Sequence, residues 1–405
     1  MRNPNSVLHI GWFDKPIAAL QRTGAEVACV ATAREAPSVR AAGASPIVVP
    51  DPGSVADILA GLSRDSLGPA DFAAVCSSIE FYLVQAAAIA ELGGARGAGL
   101  GRTLAMRDKF VQKELLHRAG VRTAACTLVE NLHQLDLAEF PGPRVLKPLD
   151  GAGAKDTFVL RGHEDLREFI ASTATADDGP WLLEEFVPGK EYFIDGVVRD
   201  GQITLFSLSQ YFQNLIECHD GGLTAYHTLP ENEVPDLSAK TLALAESAFS
   251  ALGYEDGVFH LEVFWDGTEV WFGECGARVG GGRADKLVEL TFGVDLHDEW
   301  ALAALGLSSK VTGNETRSKQ CYGGLNLRSP QGRLEHVPSL DEVLARPGVV
   351  QAELTVAIGD TTPVFSTASN MRAGQAVVSG ADAAETARRL AEVNTWFFDS
   401  IKVAP

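Results

Sequence analysis

The sequence predicts a multidomain protein of mixed α/β and α+β class, with an N-terminal domain built on a parallel, Rossmann-like sheet. Three observations lead there. A chain of 405 residues is too long for one small core and suits two to four packed subdomains. Its first hundred residues alternate short apolar runs with Ala-rich helical stretches, the pattern of a parallel sheet. Its middle is dense in strand patterns, and its tail alternates again before a final helix.

Apolar runs at 7–10, 27–30, 47–49 and 72–76 read as buried strands, with helical stretches such as 17–24 and 83–92 between them. The first strand runs into Gly11-Trp12-Phe13-Asp14 with no G-x-G-x-x-G. The glycines that let a backbone approach a pyrophosphate are missing, which excludes NAD or FAD binding there. Residues 103–120 read as one helix: Met106, Phe110, Leu115 and Ala119 share a face, and Gly120 is a natural stop. Strands are expected at 144–147, 157–161, 181–186, 191–198 and 202–209, and a helix at 238–252. A hairpin should follow, with strands 257–265 and 269–274 around Asp266-Gly267. Residues 172–179 read as a surface loop, and the tail from about 320 ends in a helix at 383–397. No internal repeat or low-complexity stretch interrupts the chain.

Composition narrows the function classes. Hydrophobic residues are 46% and charged residues 21% of the chain, ordinary for a globular protein. No apolar run approaches the ~18 residues that span a bilayer. The start is too short and polar for a secretory signal, so a cytoplasmic location is expected. With 53 acidic and 34 basic side chains the net charge is −19, which disfavours nucleic-acid and membrane partners. Cys29, Cys76, Cys126, Cys218, Cys275 and Cys321 form no C-x-x-C pair. Neither a zinc site nor a disulfide framework is indicated. They read as small buried hydrophobes, with Cys275 left open.

Four segments carry chemistry. In Arg107-Asp108-Lys109 the lysine can meet phosphate as a point charge, although taken alone it reads as a solvated helix lysine. In residues 145–155 a strand delivers Lys147 and runs into a loop of small residues containing Gly151, Ala152, Gly153, Ala154 and Lys155. Such loops let backbone N–H groups approach phosphate oxygens, and a plain hairpin turn is the bland alternative. In residues 184–191 a strand ends in Glu184 and Glu185, turns through Val187, Pro188 and Gly189, and resumes at Glu191. The backbone near Glu185 and Val187 can pair with a base edge and Glu191 with a ribose; an exposed tight turn is the alternative. In the fourth segment Glu262 and Glu274 interrupt strongly apolar strands, and Arg278 precedes three glycines. Buried acids need partners, and Mg²⁺ between two carboxylates is the economical one. Arg278 suits a carboxylate or phosphoryl group. Hairpin geometry adds a condition. With a two-residue Asp266-Gly267 loop, Glu262 would lie opposite Trp271 and Glu274 would point to the other face. A three-residue loop or a bulge would align the carboxylates, so this hairpin is expected not to be a simple two-residue one.

Taken in order along nearly the whole chain, these segments resemble the ATP-grasp superfamily, particularly its carboxylate–amine ligases such as the L-amino-acid ligases. The resemblance implies an N-terminal domain at 1–102, a two-lobed ATP-grasp core at 103–312 with a small lid lobe at about 124–187, and a C-terminal α+β domain at 313–405. It implies ATP and Mg²⁺ as cofactors. Lys109 and Lys147 match the phosphate-binding lysines, residues 150–157 the glycine-rich lid, and Glu184, Glu185, Val187 and Glu191 the adenine hinge and ribose ligand. Glu262 and Glu274 match the metal ligands and Arg278 the catalytic arginine. Residues 285–296 and the tail with Arg372 also resemble the family. Two positions depart from its pattern: Gly276 stands where an asparagine is usual, and Ala154 where a serine is common, leaving Thr157 as a possible hydroxyl.

The implied reaction phosphorylates a substrate carboxylate to an acyl phosphate, which an amine then attacks, with ADP and phosphate released. Glu262, Glu274, Lys147 and Arg278 would carry the catalysis by neutralising the two anions that must meet. The lid would exclude water. The substrate pocket is expected between the metal site and the C-terminal domain. Its candidates are Tyr211, Gln213, Glu217, His219, Tyr226 and Gly281, with Ser369, Asn370 and Arg372 from the tail; a solvent-exposed loop is an equal reading of residues 211–226. The partners are a small-molecule carboxylate and amine, and an exposed N-terminal sheet edge makes a homodimer plausible. The alternatives are a carboxylase that uses bicarbonate and a non-catalytic nucleotide-binding module.

Overall fold

The computed structural model describes residues 3–151, 153, 155–172, 179–220, 223–363 and 372–404, without the side chains of 218–220. Ala152, Ala154, the loop expected through 173–178, the His219 side chain, Ser369 and Asn370 therefore lie outside the described residues. The four N-terminal runs form β1 (Asn3–Ile10), β2 (Glu26–Ala31), β3 (Ser45–Val48) and β4 (Phe72–Cys76), all parallel in the order β3-β2-β1-β4. Both faces are covered, as an all-parallel sheet requires. Leu8, Ile10, Val30 and Val75 pack on Ile58, Leu62 and Ile89 of the helices on one side. On the other, Val7 and Cys29 pack on Ile17 and Leu20, and reach Leu296 and Trp300 of a helix far along the chain.

The expected single helix at 103–120 is two helices. Leu100–Arg107 stops, Asp108 takes extended angles (φ −85°, ψ 116°), and Lys109–Arg118 begins anew. The Asp108 carboxylate accepts from the Val111 N–H at 2.9 Å. An aspartate competes poorly inside a helix and well at its N-cap, so the backbone breaks there; the second helix buries Lys109, Gln112, Lys113 and Leu116 rather than the expected face of Phe110, Leu115 and Ala119, and Ala119 is exposed. The break places Lys109, 6% exposed, at the start of the second helix. Gly120 ends that helix as expected, at φ +75°.

A four-stranded antiparallel sheet follows: β5 (Cys126–Val129), β6 (Arg144–Pro148), β7 (Phe158–Leu160) and β8 (Trp181–Glu185), in the order β5-β8-β6-β7. Phe169 of its helix packs edge-on to Trp181 and Phe158. The remaining strands are β9 (Lys190–Arg199), β10 (Gln202–Tyr211), β11 (Ala225–Thr228), β12 (Gly257–Trp265), β13 (Val270–Gly276), β14 (Cys321–Leu327), β15 (Gly332–His336), β16 (Val349–Leu354), β17 (Thr361–Thr362), β18 (Gly374–Gly380) and β19 (Lys402–Val403). Eight of them make one antiparallel sheet in the order β13-β12-β9-β10-β11-β14-β18-β16, and β17-β15-β19 lie apart. The large sheet runs across the domain boundary expected near 313, because β11 pairs with β14.

Strand alternation decides what the large sheet presents. Tyr192, Ile194 and Val198 of β9 join Leu261 and Val263 of β12 in packing on the helix Pro235–Leu252 through Leu244, Ala248 and Phe249. The intervening Glu191, Phe193 and Asp195, with His260 and Glu262, lie on the opposite face. The final helix, Ala383–Ser400, covers β14 and β18 with Leu390, Val393 and Phe397. Among the described residues no helix is long and apolar enough to cross a membrane, and the five described cysteines are unpaired.

Candidate active site between the two sheets

The hairpin meets the condition set by its sequence, by a different route from a three-residue loop. Trp265 pairs with Val270, so Asp266 to Glu269 form a four-residue loop, and the Asp266 carboxylate accepts from the Thr268 and Glu269 N–H groups. That loop alone would leave Glu262 opposite Gly273. A bulge between Glu262 and Val263 shifts the register by one and sets Glu262 directly across from Glu274. Gly273 is the extra residue. A Cβ there would lie 2.8 Å from the Glu262 carbonyl oxygen, so the bulge closes only over a glycine.

Around this pair, a cleft of about 1080 Å³ opens between the four-stranded sheet and the large sheet. Lys109, Lys147, Gly151, Gly153, Glu184, Glu185, Val187, Glu191, Glu262, Glu274 and Arg278 all line it, as does Thr157. Lys155 is exposed and outside the lining. Lys109 Nζ reaches Glu274 at 2.9 Å and donates to the Gly151 carbonyl at 2.8 Å, joining β13 to the loop after β6. Burial works to raise the Glu274 carboxyl, but Lys109 and Lys147 outweigh it and hold it down at about 2. Burial, with Glu262 beside it, pushes the Glu191 carboxyl well above the usual carboxylate range. Glu191 accepts from the Leu215 N–H at 2.6 Å, and its own N–H donates to Asn214. The Glu185 N–H donates to the Ala125 carbonyl at 2.9 Å, so an adenine edge would have to use its carbonyl or the Val187 backbone.

Glu184 faces inward. It is 5% exposed and sits between Lys147 Nζ at 2.9 Å and Lys113 Nζ at 3.1 Å. Burial opposes its charge, and the two lysines more than restore it, holding the carboxyl below its ordinary value. Glu184 and Glu274 together raise Lys147 against burial. Lys113, wholly buried, is pushed down by burial despite Glu184. Lys113 was not foreseen: it reads as another helix lysine, and its one signal is the four-residue spacing from Lys109, which puts both on one face.

Beyond Glu262 the same sheet face carries a polar-aromatic cluster. His260 Nδ1 lies 2.9 Å from Asp195 and its Nε2 3.6 Å from Glu262. Burial lowers the imidazole, but these two carboxylates raise it to about 9. Phe193 packs against His260, Tyr211 and Tyr226 with ring centroids 4.7–5.2 Å away. Tyr211 and Tyr226 are buried, and the Tyr226 hydroxyl accepts from the Arg283 N–H at 2.6 Å. Gly281 has open space where a Cβ would stand. Gln213 and Glu217 are exposed; the Gln213 side chain accepts from the Leu223 N–H. Arg372 is half-buried, and burial together with neighbouring Arg283 lowers its guanidinium. None of these six lines the cleft; Tyr211 and Tyr226 pack instead in one cluster with Tyr322 of β14 and Val377 of β18.

The ATP-grasp domain family matches residues 114–281, which takes in both sheets' contributions to this cleft. The chain carries an ATP-grasp domain. The L-amino acid ligase C-terminal domain 2 family matches residues 326–395 of the same chain. Among its relatives is the L-arginine-specific L-amino acid ligase of Bacillus subtilis, 23% identical over 302 residues, covering 73% of this chain and 71% of that one. The alanine–anticapsin ligase of Bacillus subtilis is 25% identical over 254 residues, or 55% of this chain and 52% of its own length; the chain spans only about half of that relative. The crystal structure of an L-amino acid ligase from Bacillus licheniformis superposes over 100% of both chains with a TM-score of 0.78 at 19% identity. An N5-carboxyaminoimidazole ribonucleotide synthetase from Thermotoga maritima covers 99% of both with a TM-score of 0.69 at 19% identity.

Proposed function

We propose that this ATP-grasp protein is an ATP-dependent ligase that activates a substrate carboxylate as an acyl phosphate and joins it to an amine, most directly that of an amino acid. The observation that carries the reading is the convergence, in one cleft, of Lys109, Lys147 and Arg278 with two facing carboxylates, Glu262 and Glu274. Among the described residues no three His, Cys, Asp or Glu side chains form a self-sufficient metal cage. Two facing carboxylates instead suit Mg²⁺, which takes oxygen donors and shares itself with phosphates. When bound, that ion would supply positive charge to the transferring phosphoryl group.

The remaining work falls to the chain's own residues. Lys147, charged and aimed by Glu184, would bind the nucleotide phosphates. Lys109, now shared by Glu274 and the Gly151 carbonyl, would do the same while drawing the lid loop down over them, so that water stays away from the acyl phosphate. Arg278 would bind the anion formed as the carboxylate attacks. The buried face of Phe193, Tyr211 and Tyr226, leading from Glu262 toward Arg283 and Arg372, supports placement of the two organic substrates there. The match of residues 326–395 to an L-amino acid ligase domain favours an amine over bicarbonate as the second partner.

Glu262→Gln tests the core of this reading. The expected result is loss of ADP formation by about 100-fold or more with an unchanged circular dichroism spectrum. Turnover equal to the parent enzyme would remove Glu262 from the machinery.

A further inference from the structure

Arg278 is gripped from outside its own domain. After β4 the chain turns through Glu80 at the C-terminal end of the parallel sheet, 198 positions from Arg278. Glu80 is 9% exposed, an unusual place for a carboxylate without a task. Its Oε2 accepts from Arg278 Nε, and its Oε1 lies 3.6 Å from Arg107 Nε. Arg107, also buried, donates to the Asp150 carbonyl at the start of the lid loop and stacks over Phe81 at 5.4 Å. One carboxylate of the N-terminal domain thus touches both the arginine of the large lobe and the arginine that holds the root of the lid.

Gly276 supplies an independent observation. Its backbone has no left-handed φ that would demand glycine. A Cβ built on it would stand 3.1 Å from Glu80 Oε2, closer than a methyl group normally sits to an oxygen. The missing side chain is the space the Glu80 carboxylate occupies. With Nε held by Glu80 and Nη1 donating to the Val279 carbonyl at 3.0 Å, Nη2 remains for the cleft that Arg278 lines.

We infer that Glu80 is a positioning residue of the reaction: it fixes the Arg278 guanidinium toward the cleft and, through Arg107, ties that orientation to the lid loop. The role in turnover rests on the ligase reading; the contact does not. The test uses the full-length protein carrying ¹⁵N-arginine, with the Arg278 Nε–H signal identified by its absence in Arg278→Lys. Glu80→Ala should abolish that slowly exchanging signal and lower kcat about 100-fold, with KM for ATP within about threefold. Glu80→Gln, which keeps an acceptor oxygen, should recover part of both. Gly276→Ala should impair kcat in the parent and cost nothing further in Glu80→Ala, because the methyl and the carboxylate compete for one space. Glu80→Gln and Gly276→Ala, each read alone in the parent, keep the inference testable if Glu80→Ala folds poorly: an unchanged kcat in both overturns it. A retained Arg278 signal in Glu80→Ala overturns the inference whatever the substrates prove to be. A lost signal with unchanged kcat overturns it as well. A parent enzyme that turns over no acid–amine pair would sink the ligase reading alone, and the signal would still decide whether Glu80 holds Arg278.

Discussion

Removing the Glu184 carboxylate strands Lys113 and takes from Lys147 its partner at 2.9 Å. Lys113 is 3% and Glu184 7% exposed at the side chain, and Lys147 13%, so all three are largely out of water. Deleting one partner of a buried ion pair costs about 3–5 kcal/mol, mostly for the charge left behind. Glu184→Ala should fall in that range, because Lys113 loses its carboxylate partner while burial already disfavours its ammonium form. The second half of the prediction is sharper. Lys113→Met alone leaves Glu184 paired with Lys147 at 2.9 Å and should cost less than ~2 kcal/mol. Added to Glu184→Ala, it should restore at least ~1 kcal/mol, since it removes the stranded charge. A multidomain chain does not guarantee two-state unfolding, so amide hydrogen exchange in β5 and β8 and in the helix Lys109–Arg118 is the suitable assay. If Glu184→Ala changes opening free energies by under ~1 kcal/mol, or Lys113→Met makes it worse, the triad is better hydrated than its burial indicates and the reasoning fails.

Further expectations follow from other contacts. His9 is fully buried beside Trp300, with Nδ1 2.7 Å from the Gly11 carbonyl and Nε2 accepting from the Ser78 N–H. Burial lowers it to about 4, below the ~6.5 of an unfolded histidine. Its contribution is therefore complete above pH 6.5 and declines as the pH falls toward 4, by about 3 kcal/mol. Denaturation midpoints of the parent and His9→Gln between pH 7 and 4 should converge in steepness only if this is wrong. Gly273→Val forces a side chain against the Glu262 carbonyl and should open the bulge. Mg²⁺-dependent nucleotide affinity, measured by calorimetry, should fall roughly tenfold or more; unchanged affinity would separate the bulge from the metal. Removing Mg²⁺ with a chelator should abolish ADP release and restore it on readdition, whereas activity that persists without divalent cations would contradict the role given to Glu262 and Glu274.

Much of this was legible because it is local. Apolar runs bounded by turns fixed the parallel strands, and strand parity alone required Glu262 and Glu274 to be realigned by something other than a two-residue turn. The helix break at Asp108 was hidden because the apolar stripe expected from the sequence runs through it, while the decisive contact is a single capping carboxylate. Lys113 looked solvated because its partner is in the lid, some seventy positions on. Glu80 and the Asp195–His260 pair had no local signature at all: each matters only through a side chain that the tertiary fold brings to it. The organic substrates are the least legible part, since Tyr211 and Tyr226 are placed by two strands, β10 and β11, and Arg372 lies just before β18; no spacing in the chain signals them.

The most direct test of the central claim is phosphate and ADP release from Mg²⁺-ATP across a panel of amino acids, singly and in pairs, with mass spectrometry of the products. The ligase account predicts release that requires an acid and an amine together, one ATP consumed per condensed product, and no product in Glu262→Gln. ATP that binds tightly while no pair yields ADP or a condensed product, or ADP release indifferent to any acceptor, would contradict it.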